Sequence, residues 1–282
     1  GTNNVAVGLQ ALYANTTGSS NTAVGYASLV ANTTANDNTA IGVRALTLNT
    51  TGEQNTAFGR DALASNTTGT PNTAVGSLAL SCNTTGASNT AMGRQSLKDN
   101  TTGAANTAVG RCSLKETTTG SFNTATGFDA GCNMTTGDEN AAFGYMAAKC
   151  ATTGSYNTSI GAGAGCQLTT GSSNTFLGHI AGRVGSPATV TTGSNNIVIG
   201  NNTSANAYIK IDWTVTSDLR DKTQIEDVPH GLDFVNNLNP IKYKFKKSRE
   251  DDTPQGDIKY GFGAQDILKL EGDNPVIINN KQ

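Results

Sequence analysis

Over the first 200 residues the apolar positions recur at neither helical spacing nor in long alternating runs. They come in short clusters, each set between a polar residue and a glycine. The clusters read NTAVG at 21–25, NTAIG at 38–42, NTAFG at 55–59 and NTAVG again at 72–76 and 106–110. Their asparagine falls at 4, 21, 38, 55, 72, 89, 106, 123, 140, 157 and 174, a strict period of 17, and the glycine four residues on is present in all eleven copies from Gly8 to Gly178. A twelfth copy, Asn196 to Gly200, follows five inserted residues around Pro187. A short fixed period predicts a solenoid, whose units cannot bury an apolar face alone and must stack on their neighbours.

With the asparagine numbered zero, each position of the repeat has a physical reading. Position 3 is apolar in ten of eleven copies, for example Val24, Ile41, Phe58 and Met92, position 2 is Ala in nine and position 1 is Thr in nine. This alternation predicts a short strand with one bulky face, expected to fill the coil, and one flat Ala and Gly face open to close approach by another backbone. Position 8 is Leu in the first seven copies, from Leu12 to Leu114, and Gly or Ala from Gly131 onward, where Met134 and Leu168 at position 11 are expected to refill the space. Positions 11 to 14 read NTTG, as in Asn49 to Gly52, which is turn chemistry: Asn and Gly tolerate positive φ. Each unit is therefore one coil, with a strand, a bend or second short strand near the Leu, and a turn. At a strand spacing near 4.8 Å, twelve coils make a rod roughly 55 to 60 Å long. So thin a core favours lateral association.

Charge marks where this pattern ends. Residues 1–200 hold eight basic and eight acidic side chains, the last 82 hold eleven and thirteen, and four of the six prolines lie beyond residue 200. A domain boundary is expected there. A net charge of -2 without a basic run argues against nucleic acid, and no apolar stretch is long enough to cross a membrane. Gly1 lies within a repeat, so the sequence reads as a segment of a longer chain. Cys82, Cys112, Cys132, Cys150 and Cys166 lack metal-type spacing and read as packing residues made in a reducing compartment.

The unit N-T-A-V-G-x-x-A-L resembles the head repeat of trimeric adhesins of the YadA type. That resemblance covers residues 1 to about 200 and implies an all-β, parallel β-solenoid or β-roll of 17-residue coils, assembled as a homotrimer. Beyond Gly200 an alternating apolar stretch, Tyr208 to Trp213, predicts a connecting strand within a neck at 201–216.

From Ser217 the chain reads SDLRDKTQIE, then LDFVNNLNPIKYKFK at 232–246 and YGFGAQDI at 260–267. These segments resemble the endosialidase-type intramolecular chaperone domain of phage tail fibres and tailspikes. The resemblance implies that 217–282 is the N-terminal part of a small α+β domain that promotes trimer folding and is released by self-cleavage before the Ser. Carried over residue by residue, the family motif falls on Ser217, Asp218, Arg220 and Lys222, with the scissile bond between Thr216 and Ser217. In the role so implied, Ser217 attacks the Thr216 carbonyl, Lys222 takes its proton, and Asp218 or Arg220 fixes the geometry. A lysine can act as such a base only when desolvation leaves it neutral, which burial on trimer assembly would supply.

The function expected is a trimeric phage tail fibre or receptor-binding fibre, assembled in the host cytoplasm and carried on the virion tail. Its partners would be its own copies, other tail proteins and a host receptor or glycan. Two alternatives stand beside it: a bacterial surface adhesin, and a polysaccharide-degrading tailspike, for which the repeats lack a consistent acidic pair. Recognition would use positions that vary while the frame stays fixed: Tyr26, Arg60, Arg94, Arg111, Tyr145, Lys149 and Tyr156. No cofactor or metal is expected, since His179 and His230 have no partners at ligand spacing. The acidic pairs Asp138-Glu139 and Glu250-Asp251-Asp252 read as solvated loops. The Asn-Thr-Thr sequons from Asn15 to Asn100 read as products of the turn repeat rather than sugar sites.

Overall fold

The structure, a computed structural model, describes residues 1–184, 186–204, 232–246 and 252–271. The chain divides into two compact units, Gly1–Asn202 and Thr203–Gln282. In the first, one parallel sheet runs in sequence order through twelve three-residue strands: β1 (Val5–Val7), β2 (Thr22–Val24), β3 (Thr39–Ile41), β4 (Thr56–Phe58), β5 (Thr73–Val75), β6 (Thr90–Met92), β7 (Thr107–Val109), β8 (Thr124–Thr126), β9 (Ala141–Phe143), β10 (Thr158–Ile160), β11 (Thr175–Leu177) and β12 (Ile197–Ile199). Register follows the repeat, with Thr22, Ala23 and Val24 beside Thr39, Ala40 and Ile41. The unit is the all-β parallel solenoid of 17-residue coils that the period predicts.

The coil is filled from the opposite face to the one expected. Ala23, Ala40, Ala57 and Ala74 of position 2 are fully buried with Leu29, Leu46, Leu63 and Leu80 of position 8, whereas Phe58 is 54% and Leu177 45% exposed. The reason lies in the width of the coil. At Gly131, where position 8 has no side chain, an added Cβ would sit 3.8 Å from the Ala125 Cβ, so positions 2 and 8 face each other directly. Where Leu occupies one wall, only a methyl fits opposite. The strand therefore turns its alanines inward and its larger residues out.

The close approach expected of the flat face occurs between successive coils of one chain. Gly25 has φ +132°, and a Cβ there would lie 2.5 Å from the Gly42 carbonyl oxygen. Positive φ and contact with the next coil both exclude a side chain, which is why position 4 stays glycine.

The NTTG segment also works differently from a positive-φ turn. Left-handed φ falls instead at positions 6, 8 and 16, as in Arg44 (56°), Leu46 (52°) and Gln54 (58°). The strained Leu corner is held by hydrogen bonds from coil to coil, Leu46 N–H donating to Ala62 O at 3.0 Å. Asn49 is fully buried; its Nδ2 donates to Gly52 O at 2.8 Å and to Asn32 Oδ1 at 3.1 Å. Such links run from Asn15 to Asn100. There the ladder stops, and Asn100 Oδ1 and Thr117 Oγ1 are left buried without partners. The sequon asparagines from Asn32 to Asn100 are thus interior hydrogen-bonding groups.

A second ladder runs the full length at position zero. Asn38 Oδ1 accepts the N–H of Asn55 at 3.0 Å, and its Nδ2 donates to Gly52 O at 2.9 Å, closing its own coil. The chain of links reaches Asn196, whose N–H meets Asn174 Oδ1 at 3.0 Å across the five-residue insertion.

From coil 8 the packing is redistributed as expected. Met134 and Leu168 are fully buried where position 8 has become Gly131 and Gly165. Coil 11 solves the same problem differently: Phe176 takes position 2, fully buried, in space that a Cβ on Gly182 would invade at 2.2 Å.

In the second unit the described residues form α1 (Leu232–Asn236), β13 (Pro240–Lys246), β14 (Pro254–Phe262) and α2 (Ala264–Glu271). β13 and β14 pair antiparallel, with a register shift between Tyr243 and Phe245. Lys246 pairs with Asp252 near the end of this hairpin. Asp266 in the first turn of α2 and Lys269 in its last complement the helix dipole. The expected strand at Tyr208 to Trp213 lies outside the described residues.

Candidate functional site

Thr216, Ser217, Asp218, Arg220 and Lys222 lie outside the described residues, as do His230 and Glu250-Asp251. The described candidate residues all lie on the solenoid. Stacking places position 5 of each repeat in one row along the rod, so Tyr26, Arg60, Arg94, Arg111 and Tyr145 share it, with position 9 residues such as Lys149 close by. Tyr156 stands apart, at position 16.

Part of this row is a cluster. The Arg111 guanidinium lies 4.9 Å from the centre of the Phe128 ring, and Phe128 stacks on Tyr145 with centroids 5.7 Å apart and planes 26° apart. Phe128 is 39% and Tyr145 55% exposed, so the stacked pair faces solvent. Lys149 is held by Asp129 at 3.0 Å, and this hydrogen bond raises the lysine's pKa above its ordinary value. Lys98 is held in the same way by Asp99 at 2.9 Å, and Arg44 by Asp61 at 2.7 Å. Arg60 makes a longer pair with the same Asp61, 3.6 Å.

One coil beyond Tyr145, the row drops to Ala162 and Gly163. A notch of about 120 Å³ opens there, walled by Tyr145 and Met146 on one side and by His179, Ile180 and Arg183 on the other, with Cys166 at its base. His179, expected only to lack partners at ligand spacing, is exposed on the wall of this notch, and Phe128 and Arg183 join the strip although they are not among the expected recognition residues. The signal for Phe128 and Arg183 is the period: Phe128 is 17 residues from both Arg111 and Tyr145, and Arg183 is 34 from Lys149.

The five cysteines are free thiols. Burial pushes the Cys132 thiol up to about 11 and that of Cys166 upward, which keeps both protonated and unreactive near neutral pH. Among the described residues no group of His, Cys, Asp or Glu is arranged to hold a metal ion, and no helix is long and apolar enough to cross a membrane.

The class of protein so defined is a parallel β-solenoid of 17-residue coils, followed in the chain by a small α+β unit. Residues 217–274 match the peptidase family model described as chaperone of endosialidase, so the chain carries a domain of that family after its solenoid. SDLRDKTQIE, LDFVNNLNPIKYKFK and YGFGAQDI all fall within the matched span. No curated protein and no solved structure matches the chain.

Proposed function

We propose that this chain is a trimeric phage tail fibre or receptor-binding fibre that mediates host attachment, and that its C-terminal domain is an intramolecular chaperone for trimer folding. The observation that carries the reading is a chaperone of endosialidase domain following a solenoid with an uncovered apolar row. Val7, Phe58, Met92, Ile160 and Ile199 of position 3 are all more than 40% exposed. An outward apolar row of this length, interrupted only at Thr126, is more than a monomer ordinarily leaves in water. A partner that covers it must repeat at the coil spacing, about 4.8 Å. Copies of the same chain meet that requirement. Three such rods carried on a tail would hold many weak surface contacts at once, giving avidity without a deep pocket.

Release of the chaperone would proceed at Thr216-Ser217. Lys222 Nζ takes the proton of Ser217 Oγ, and the oxygen attacks the Thr216 carbonyl. The peptide C–N bond breaks as the Ser217 nitrogen is protonated to an amine, leaving an ester on Oγ. Water then hydrolyses the ester, freeing the Thr216 carboxylate and restoring the Ser217 hydroxyl. Asp218 and Arg220 would hold this segment in position.

The test is expression of the full chain, with native mass, denaturing electrophoresis and intact mass for the wild type, Ser217→Ala and Lys222→Ala. Trimers with cleavage between Thr216 and Ser217 are expected for the wild type, and uncleaved trimers for both variants. A trimer that stays whole removes the cleavage step alone, whereas a well-behaved monomer removes the fibre reading altogether.

A further inference from the structure

In residues 89–184 every lysine and arginine occupies position 5 or 9, so six basic groups share one face: Arg94, Lys98, Arg111, Lys115, Lys149 and Arg183. Each of the three lysines is matched to a carboxylate: Lys98 to Asp99, Lys115 to Glu116 at 3.5 Å and Lys149 to Asp129. Among the described residues no carboxylate lies within ion-pairing distance of the three arginines. The face therefore has unspent positive charge, with the Phe128 and Tyr145 rings and the notch beyond them lying between Arg111 and Arg183.

We propose that this strip, from Arg94 to Arg183, is a binding site for an acidic polysaccharide that lies along the rod. This rests on the attachment reading and names the chemistry it would recognise. A pyranose ring presents an apolar C–H face that packs on an exposed aromatic, and Tyr145 offers such a surface on the side away from Phe128, which is itself held between Arg111 and Tyr145. The notch after Tyr145 is too small for a whole sugar but takes a carboxylate substituent, and Arg183 and His179 stand on its far wall as hydrogen-bond donors. Arg111 is already seated over Phe128, which orders its guanidinium. Arg111 and Arg183 sit four coils apart, about 19 Å at the spacing of parallel strands, so both can be engaged only by an extended polyanion. A uronic-acid polymer fits better than nucleic acid, because the arginines are too sparse to track a phosphate backbone and the notch is too small for a base.

The full chain is tested for binding to polygalacturonate, to dextran of similar length and to single-stranded DNA. Binding to polygalacturonate that weakens with salt is expected, with none to dextran. Tyr145→Ala and Arg183→Gln each weaken it about tenfold, while Thr102→Ala, on the exposed threonine row, leaves it unchanged. Equal binding to dextran, tighter binding to DNA, or indifference to both site variants overturns the proposal. A chain that binds polygalacturonate in this manner but forms no trimer and attaches to no cell upholds the site and removes the fibre reading. Attachment without polygalacturonate binding does the reverse.

Discussion

Asn55 Oδ1 accepts the backbone N–H of Asn72 at 2.9 Å, while Asn55 Nδ2 donates to Gly69 O at 2.9 Å. One side chain thereby joins two coils and closes its own. Asn55→Ala leaves the Asn72 N–H buried without a partner, while Gly69 O keeps its bond from Asn66 Nδ2 at 3.0 Å, so the cost should be about 1–3 kcal/mol. Chemical denaturation should show the loss as a lowered midpoint with unchanged slope.

The inverted strand faces separate two substitutions that the sequence pattern would treat alike. Leu80→Ala empties the interior opposite Ala74 and should cost about 2–5 kcal/mol. Val75→Ser, at the outward position 3, should leave the coil's own melting within about 0.5 kcal/mol but weaken association between copies. Unfolding read by circular dichroism, beside sedimentation of the same samples, distinguishes these effects.

Phe176 and Gly182 are packed as a pair, and their energies should be coupled. Phe176→Ala alone should destabilise by about 3–5 kcal/mol. Gly182→Leu alone should be severe, because its Cβ already meets the Phe176 ring. Together they recreate the Ala and Leu pairing of the early coils, so the double variant should recover most of the loss in a double-mutant cycle.

Cys132 should react with iodoacetamide far more slowly at pH 8 than an unstructured thiol, and the rate should climb toward pH 11 as thiolate forms. The sign for stability follows from the same shift. Its folded pKa lies above the ordinary value of 9.0, so its contribution is fully present below pH 9 and is lost as the pH rises through about 11. Alkylation followed by mass mapping, with Cys132→Ser for comparison, checks both statements.

Much of this architecture is legible in the spacing alone. The invariant Gly25 and Asn21 positions give away the coil, because a strict period leaves no other fold class. Which face of Thr22-Ala23-Val24 turns inward is not legible, since neither face is strongly polar and the answer depends on how far Leu29 reaches across the coil. Asn49 misleads in the opposite sense: a polar residue in a turn sequence proves to be interior, since its amide is satisfied by Gly52 of its own turn and by Asn32 and Asn66 of the coils on either side. At the surface Arg111 and Tyr145 could be picked out as freely varying positions, whereas Phe128 and Arg183 gain meaning only once stacking sets them in the same strip. Ser217 and Lys222 are singled out by likeness of motif alone, and both fall within the matched span.

The position-zero ladder passes from Asn174 to Asn196 without a break although the intervening chain is five residues longer than elsewhere. Extra chain is expelled sideways into a loop, and the rungs stay in step. Coils of like packing are therefore interchangeable parts: gene duplication or loss of one unit lengthens or shortens the rod while the position-zero join stays the same. A lineage carrying this repeat can adjust its reach, or graft a new loop onto its flank, without having to invent a new fold.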